Sequence, residues 1–128
     1  MRGRGPHHAI GLYAHLTWHT KHREATIRGP HLSMLGDAIG AAAERTKVRV
    51  HALAMLTDHV HIVASYSPDA TLSAFVREAK SESARRAGIR WCRGFYANSI
   101  GSNQVAAAKR YVAAQYARHP DKIPARVG

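Results

Sequence analysis

Apolar residues recur at two different periods along this chain, and each change of period marks an element boundary. Residues 10–20 alternate: Ile10, Leu12, Ala14, Leu16 and Trp18 fall on one side, Tyr13, His15, Thr17 and His19 on the other, as in a strand. Gly29-Pro30 then opens a helix whose stripe of Leu32, Leu35, Gly36, Ile39, Ala42 and Ala43 keeps helical spacing. Val48 to Leu56 reads as a second strand, Thr57-Asp58 as a tight connection, and 59–66 as a third strand, so the pair predicts an antiparallel hairpin. Ser67-Pro68-Asp69 breaks that strand and leads into a helix over about 71–87, with Leu72, Phe75, Val76 and Ala79 inward and Gly88 at its end. Residues 94–100 predict a fourth strand. A single last helix over about 102–118 follows, with Val105, Val112 and Tyr116 as its core stripe and Tyr111 and Gln115 at the edge of that stripe. The segment after His119-Pro120 reads as a loosely ordered tail.

The order β-α-β-β-α-β-α predicts a ferredoxin-like (RRM-like) α+β sandwich. Its four-stranded antiparallel sheet would carry helices on one face, plus a C-terminal helix bearing Tyr111. At 128 residues and 45% hydrophobic content, the chain is expected to form a single domain over 1–128 with a core at about 10–117. Many RNA binders and enzymes share that fold, so it leaves function open.

Charge narrows the partners. Nineteen Lys and Arg against eight acids give a net +11, which favours a polyanion, most simply nucleic acid, through counterion release. No stretch combines a dense basic face with a bulky apolar one, and no apolar run approaches the roughly 20 residues that span a bilayer, so a membrane is not expected. The N-terminus lacks the apolar core of a signal peptide, and the lone cysteine, Cys92, suits a reducing cytoplasm.

Candidate chemistry centres on His59-Val60-His61. On a strand both imidazoles point to one side, while Val60, Ile62, Ala64 and Tyr66 take the other, the pattern of a half-buried strand. With ten histidines in 128 residues, one such doublet is close to chance, and solvated surface histidines would account for it equally well. Tyr111 and Gln115, four apart, share a helix face, and together the four residues offer three metal ligands and a nucleophile. Arg77, Lys80, Arg85 and Arg86 give the second helix a basic outer surface, and Arg93 lies among Trp91, Phe95 and Tyr96, aromatics able to stack unpaired bases. His15 and His19 read as structural or surface residues. These features leave open a metal-dependent strand transferase, a non-catalytic nucleic-acid binder, and a zinc-stabilised structural protein.

Four stretches, in order, bring a family into view. They are Leu16-Thr17-Trp18-His19-Thr20-Lys21-His22-Arg23, Asp58-His59-Val60-His61, Trp91-Cys92-Arg93-Gly94-Phe95-Tyr96, and Ser99-Ile100-Gly101 leading to the run from Lys109 to Gln115. With them the chain resembles the single-tyrosine HUH transposases of bacterial and archaeal insertion sequences and their repeat-associated relatives, over about residues 10–117. The resemblance implies that His59 and His61 are the metal-binding pair, Gln115 the third ligand and Tyr111 the nucleophile, with Mg²⁺ or Mn²⁺ as the metal. Ligand chemistry alone would equally allow zinc. It further implies cleavage and rejoining of single-stranded DNA through a 5′-phosphotyrosine, recognition of hairpins at element ends, a homodimer, and a cytoplasmic, nucleoid-associated setting in a prokaryote. A domesticated or non-catalytic nucleic-acid binder on the same fold is the alternative. Thr57 stands where the family often has proline, and His19 and His22 replace commoner residues; none of these departures removes a group with a proposed role.

Overall fold

A computed structural model describes residues 11–124. Its elements run β1 (Tyr13–His19), α1 (Leu32–Thr46), β2 (Val48–Met55), β3 (His59–Tyr66), α2 (Leu72–Ala87), β4 (Tyr96–Ile100), α3 (Val105–Ala113) and α4 (Gln115–Arg118). The sheet order is β2-β3-β1-β4 with every neighbouring pair antiparallel, the expected ferredoxin-like arrangement. Ile10, read as part of the first strand's stripe, lies outside the described residues, as does the end of the tail at 125–128.

The alternation along β1 sets the main core. Ala14, Leu16 and Trp18 are buried on one face of the sheet, and with Val60, Ile62 and Ala64 of β3 they meet Leu35, Ile39, Phe75, Val76 and Ala79 of α1 and α2. Both helices stop where the backbone turns left-handed, at Lys47 (φ 61°) and at Gly88 (φ 70°). Glycine carries no Cβ penalty there; lysine does, and retains the conformation at a cost. Thr71 caps α2 by accepting a hydrogen bond from the Ala74 N–H at 3.2 Å.

Three readings need correction. The fourth strand starts at Tyr96, not at 94, because Gly94 turns the chain at φ 78° and Lys80 Nζ draws in the carbonyls of Cys92 and Gly94 at 2.8 and 2.6 Å. The last helix is not continuous. A 3₁₀ turn occupies Ser102–Gln104, and the helix breaks at Ala114 (ψ −9°), where the Tyr111 carbonyl accepts from the Gln115 side-chain amide at 3.2 Å. Residues 120–122 are not loose: they form a 3₁₀ turn whose Lys122 carbonyl accepts from the Thr57 N–H at 3.0 Å.

α3 lies on the face of the sheet opposite α1 and α2. Val112 packs there on Ala54 and Val63, flanked by Val105, Ala108 and Tyr116. β3 is therefore buried on both faces rather than one. That second cover is what encloses the histidine pair.

Candidate active site

Strand alternation aims His59 and His61 at the α3 face, and the antiparallel register chooses their neighbours: His59 lies opposite His19, and His61 opposite Thr17. His19 stacks on His59 with ring centroids 5.1 Å apart, and His15 stacks on His61 at 5.2 Å. The two rings of the pair are 4.9 Å apart. At 8% and 7% exposed they are not the solvated surface histidines that composition alone would allow.

Each imidazole is held through the same ring nitrogen. His59 Nδ1 lies 2.6 Å from Asp58 Oδ1, so it carries the proton and donates it to the carboxylate. The second oxygen of Asp58 accepts from Lys122 Nζ at 2.9 Å. His61 Nδ1 lies 3.0 Å from His15 Nε2 and 3.1 Å from Thr17 Oγ1. Nε2 of both residues makes no hydrogen bond to any described residue; that of His59 presents a lone pair, and that of His61 presents one in the tautomer whose Nδ1 donates to Thr17 Oγ1 or His15 Nε2.

Electrostatics keep those lone pairs available. Burial pushes the His61 pKa down to about 3, helped by its neighbours His59, His15, His19 and His119. Burial also lowers His59, against the opposing pull of Asp58. For Asp58 burial acts upward, but the hydrogen bonds from His59 and Lys122 together outweigh it and hold the carboxyl below its ordinary value. At neutral pH the centre therefore pairs an ionised carboxylate with neutral imidazoles.

Tyr111 approaches from α3. Its ring lies edge-on to His15 at 5.5 Å and to His61 at 5.9 Å, while the residue stays 43% exposed, within reach of an incoming substrate. The guanidinium of Arg118 lies over the same ring, 5.7 Å from its centroid. Tyr116, one position past Gln115, is spent on structure: its hydroxyl accepts from the Met55 N–H at 2.9 Å. Gln115 is buried, not solvated, with its amide nitrogen on the Tyr111 carbonyl and its oxygen bonded to no described residue. Among the described residues no three His, Cys, Asp or Glu side chains are grouped to hold an ion, so a third protein ligand would have to be of another kind, such as this amide oxygen. Two neutral imidazoles with open Nε2 atoms and oriented Nδ1 atoms, plus an amide oxygen, are a donor set a divalent cation fits.

Residues 8–115 match the family described as IS200-like transposases, a span that takes in β1, the histidine pair, Tyr111 and Gln115. The chain belongs to the IS200-like transposase family. It is 26% identical to the ISDra2 transposase TnpA of Deinococcus radiodurans over 90% of each chain. Two solved structures share the fold. A transposase from Deinococcus radiodurans superposes with a TM-score of 0.67 at 24% identity, over 90% of this chain and 97% of that one. A REP-associated tyrosine transposase bound to a REP hairpin gives 0.75 at 19% identity, over 93% and 74%.

For a member of this DNA-cleaving transposase family, the basic residues are unevenly placed. α2 packs on the face of the sheet opposite α3, so Arg77, Lys80, Arg85 and Arg86 are not gathered around Tyr111. Lys80 is committed to loop carbonyls, and Arg85 and Arg86 pair with Glu82 at 2.7 and 3.1 Å. Arg93 lies elsewhere, in a cleft shared with His19 and Tyr96. Sequence reading overlooked Asp58, His119, Arg118 and Lys122 and set aside His15 and His19. The signal for the last two was present: His15, Thr17 and His19 share the polar face of a strand that pairs with the histidine strand. For His119 and Lys122 no local pattern existed.

Proposed function

We propose that this chain cleaves and rejoins single-stranded DNA with Tyr111 as nucleophile and a divalent metal, Mg²⁺ or Mn²⁺, held by His59, His61 and Gln115. The observation that carries the reading is the exposed Tyr111 ring set against His15 and His61, beside two imidazoles whose Nε2 atoms are open. When bound, the metal supplies Lewis acidity to a nonbridging oxygen of the scissile phosphate. Asp58, His15 and Thr17 keep the imidazoles turned to receive it. The Tyr111 oxygen attacks phosphorus as its phenolic proton passes to solvent water, the P–O3′ bond breaks, and the leaving O3′ takes up a proton from water. The products are a 5′-phosphotyrosine and a 3′ hydroxyl, with Arg118 placed to offset phenolate charge. Reversal by a second 3′ hydroxyl reseals DNA without ATP, because the phosphotyrosine bond retains the energy of the broken one.

Hairpins are the proposed targets, supported by the fold shared with the hairpin-bound REP-associated protein and by the net charge of +11. Arg77, Arg85, Arg86 and Arg93, all exposed, are proposed phosphate contacts. A homodimer in a prokaryotic, nucleoid-associated cytoplasm completes the reading. Among the described residues no helix is long and apolar enough to cross a membrane. The test is incubation with hairpin-bearing single strands from the flanks of its own gene, with and without Mn²⁺. A protein–DNA adduct that survives denaturation and maps to Tyr111 supports the reading; hairpin binding with no adduct would leave a non-catalytic binder.

A further inference from the structure

The α3 face of the sheet is only half covered. α3 and Tyr116 pack with Ala52, Ala54 and Val63, on β2 and β3, and reach β4 only at its last residue, Ile100, while the other four residues of β4 are exposed. The register puts Tyr96 opposite Thr17 and Thr17 opposite His61, so Tyr96 belongs to the same face and the same cross-strand row as the site. It is 66% exposed, more than the other exposed large hydrophobic residues described, Met34 and Tyr111.

Tyr96 lines a cleft of about 650 Å³, together with Arg93 on its own segment, His19 at the end of β1, and His22 and Arg23 on the turn that follows β1. Tyr96 meets His19 edge-on at 6.4 Å, and His19 stacks on His59, so a single imidazole separates the cleft from the candidate centre. Arg23 and Arg93 are exposed and make no ion pair with a described residue. Backbone hydrogen bonds tie the two sides together. His22 and Arg23 both adopt left-handed backbone (φ 57° and 53°), and hydrogen bonds from Lys21 N–H to the Arg90 carbonyl and from Cys92 N–H to the His19 carbonyl, each 2.9 Å, fix that turn to the opposite segment. Lys80 anchors the far side through Cys92 and Gly94.

We infer that this cleft binds one unpaired nucleotide of the DNA strand next to the phosphate to be cut, with its base stacked on Tyr96 and its flanking phosphates held by Arg23 and Arg93. An exposed aromatic face accepts any base, and two guanidiniums without an ion pair among the described residues, Arg23 on the turn and Arg93 on the segment facing it, match a strand's repeating charge. The inference deepens the proposed function, because the strand it seats would pass His19 and His59 on its way to Tyr111.

Binding of a fluorescent ten-nucleotide oligothymidine, followed by anisotropy in EDTA, tests it without any chemistry. Tyr96→Ala is expected to weaken binding by about fivefold to a hundredfold, the range of one base–aromatic stack, and Tyr96→Phe to keep it. Arg23→Ala and Arg93→Ala are each expected to lower the salt slope by about 0.7. An oligomer containing 5-iododeoxyuridine should crosslink to the wild-type protein at Tyr96. Wild-type affinity in Tyr96→Ala, a crosslink mapping only outside the cleft, or equal competition by an acidic peptide would overturn the inference. Failure of the wild-type protein to form an adduct would count against the proposed chemistry and leave this result standing.

Discussion

Lys122 Nζ lies 2.9 Å from Asp58 Oδ2, which ties the C-terminal segment to the residue that orients His59. A carboxylate on the distal nitrogen of a ligating histidine fixes its tautomer and raises its basicity, so Asp58→Asn is expected to weaken Mn²⁺ binding about 10- to 100-fold. Lys122→Met should act in the same direction and less, since it leaves the Asp58–His59 bond in place. Titration calorimetry with Mn²⁺ checks both. Unchanged affinity in Asp58→Asn would show that His59 does not bind the metal.

His59→Ala and His61→Ala are each expected to abolish cleavage while retaining most hairpin affinity. Both residues serve the centre, whereas affinity comes from the exposed cations. Hairpin binding by gel shift and adduct formation by denaturing gel separate the two effects. Full cleavage by both variants with excess metal would remove the proposed centre.

Tyr111→Phe should eliminate the adduct with the fold and hairpin binding intact, because the exposed hydroxyl makes no hydrogen bond to a described residue. Tyr116→Phe should do the reverse. It leaves the Met55 N–H without its partner, costing about 1 kcal/mol of stability, and preserves the adduct. Mass spectrometry of trapped adducts and urea denaturation distinguish them; an adduct on Tyr116 would reassign the nucleophile.

Metal-free protein should lose stability in acid before its carboxylates titrate. His61 is held at about 3 when folded, against about 6.5 when unfolded, so the unfolded chain takes up its proton first. The contribution is fully present above about pH 6.5 and declines as pH falls toward 3, by about 1.4 kcal/mol per pH unit within that window. His15, His19 and His59 are lowered as well and act in the same direction. Urea midpoints in EDTA between pH 7.5 and 4.5 check this, and His61→Gln should flatten the decline. A stability independent of pH across that range would contradict the burial of the pair.

How the elements came to be legible follows from what is local in a chain. Strand alternation in 13–19 and 59–66, helical spacing in 32–46 and 72–87, and a glycine at 88 each depend on neighbours within a turn or two, and every one of those elements formed where its pattern lies. The shared face of His59 and His61 was readable for the same reason, since it follows from a spacing of two. The spacing of four between Tyr111 and Gln115 is local as well, but a helix break at Ala114 falls between them and leaves Tyr111 exposed and Gln115 buried. The settings of those groups were not local. That Asp58 is gripped by Lys122, that His15 and Thr17 flank His61, and that Tyr116 is sealed onto Met55 depend on pairing across 64, 46, 44 and 61 residues. Such contacts exist only once the sheet has chosen its order and α3 has settled on the face away from α1 and α2. The same packing buried Gln115, expected at the edge of a helix stripe, interrupted the last helix at Ala114, and drew 120–122, expected as a loose tail, against Thr57. Residue types and spacings determined which groups were available for chemistry; the second layer on the sheet decided which of them are dry, oriented and within reach of Tyr111.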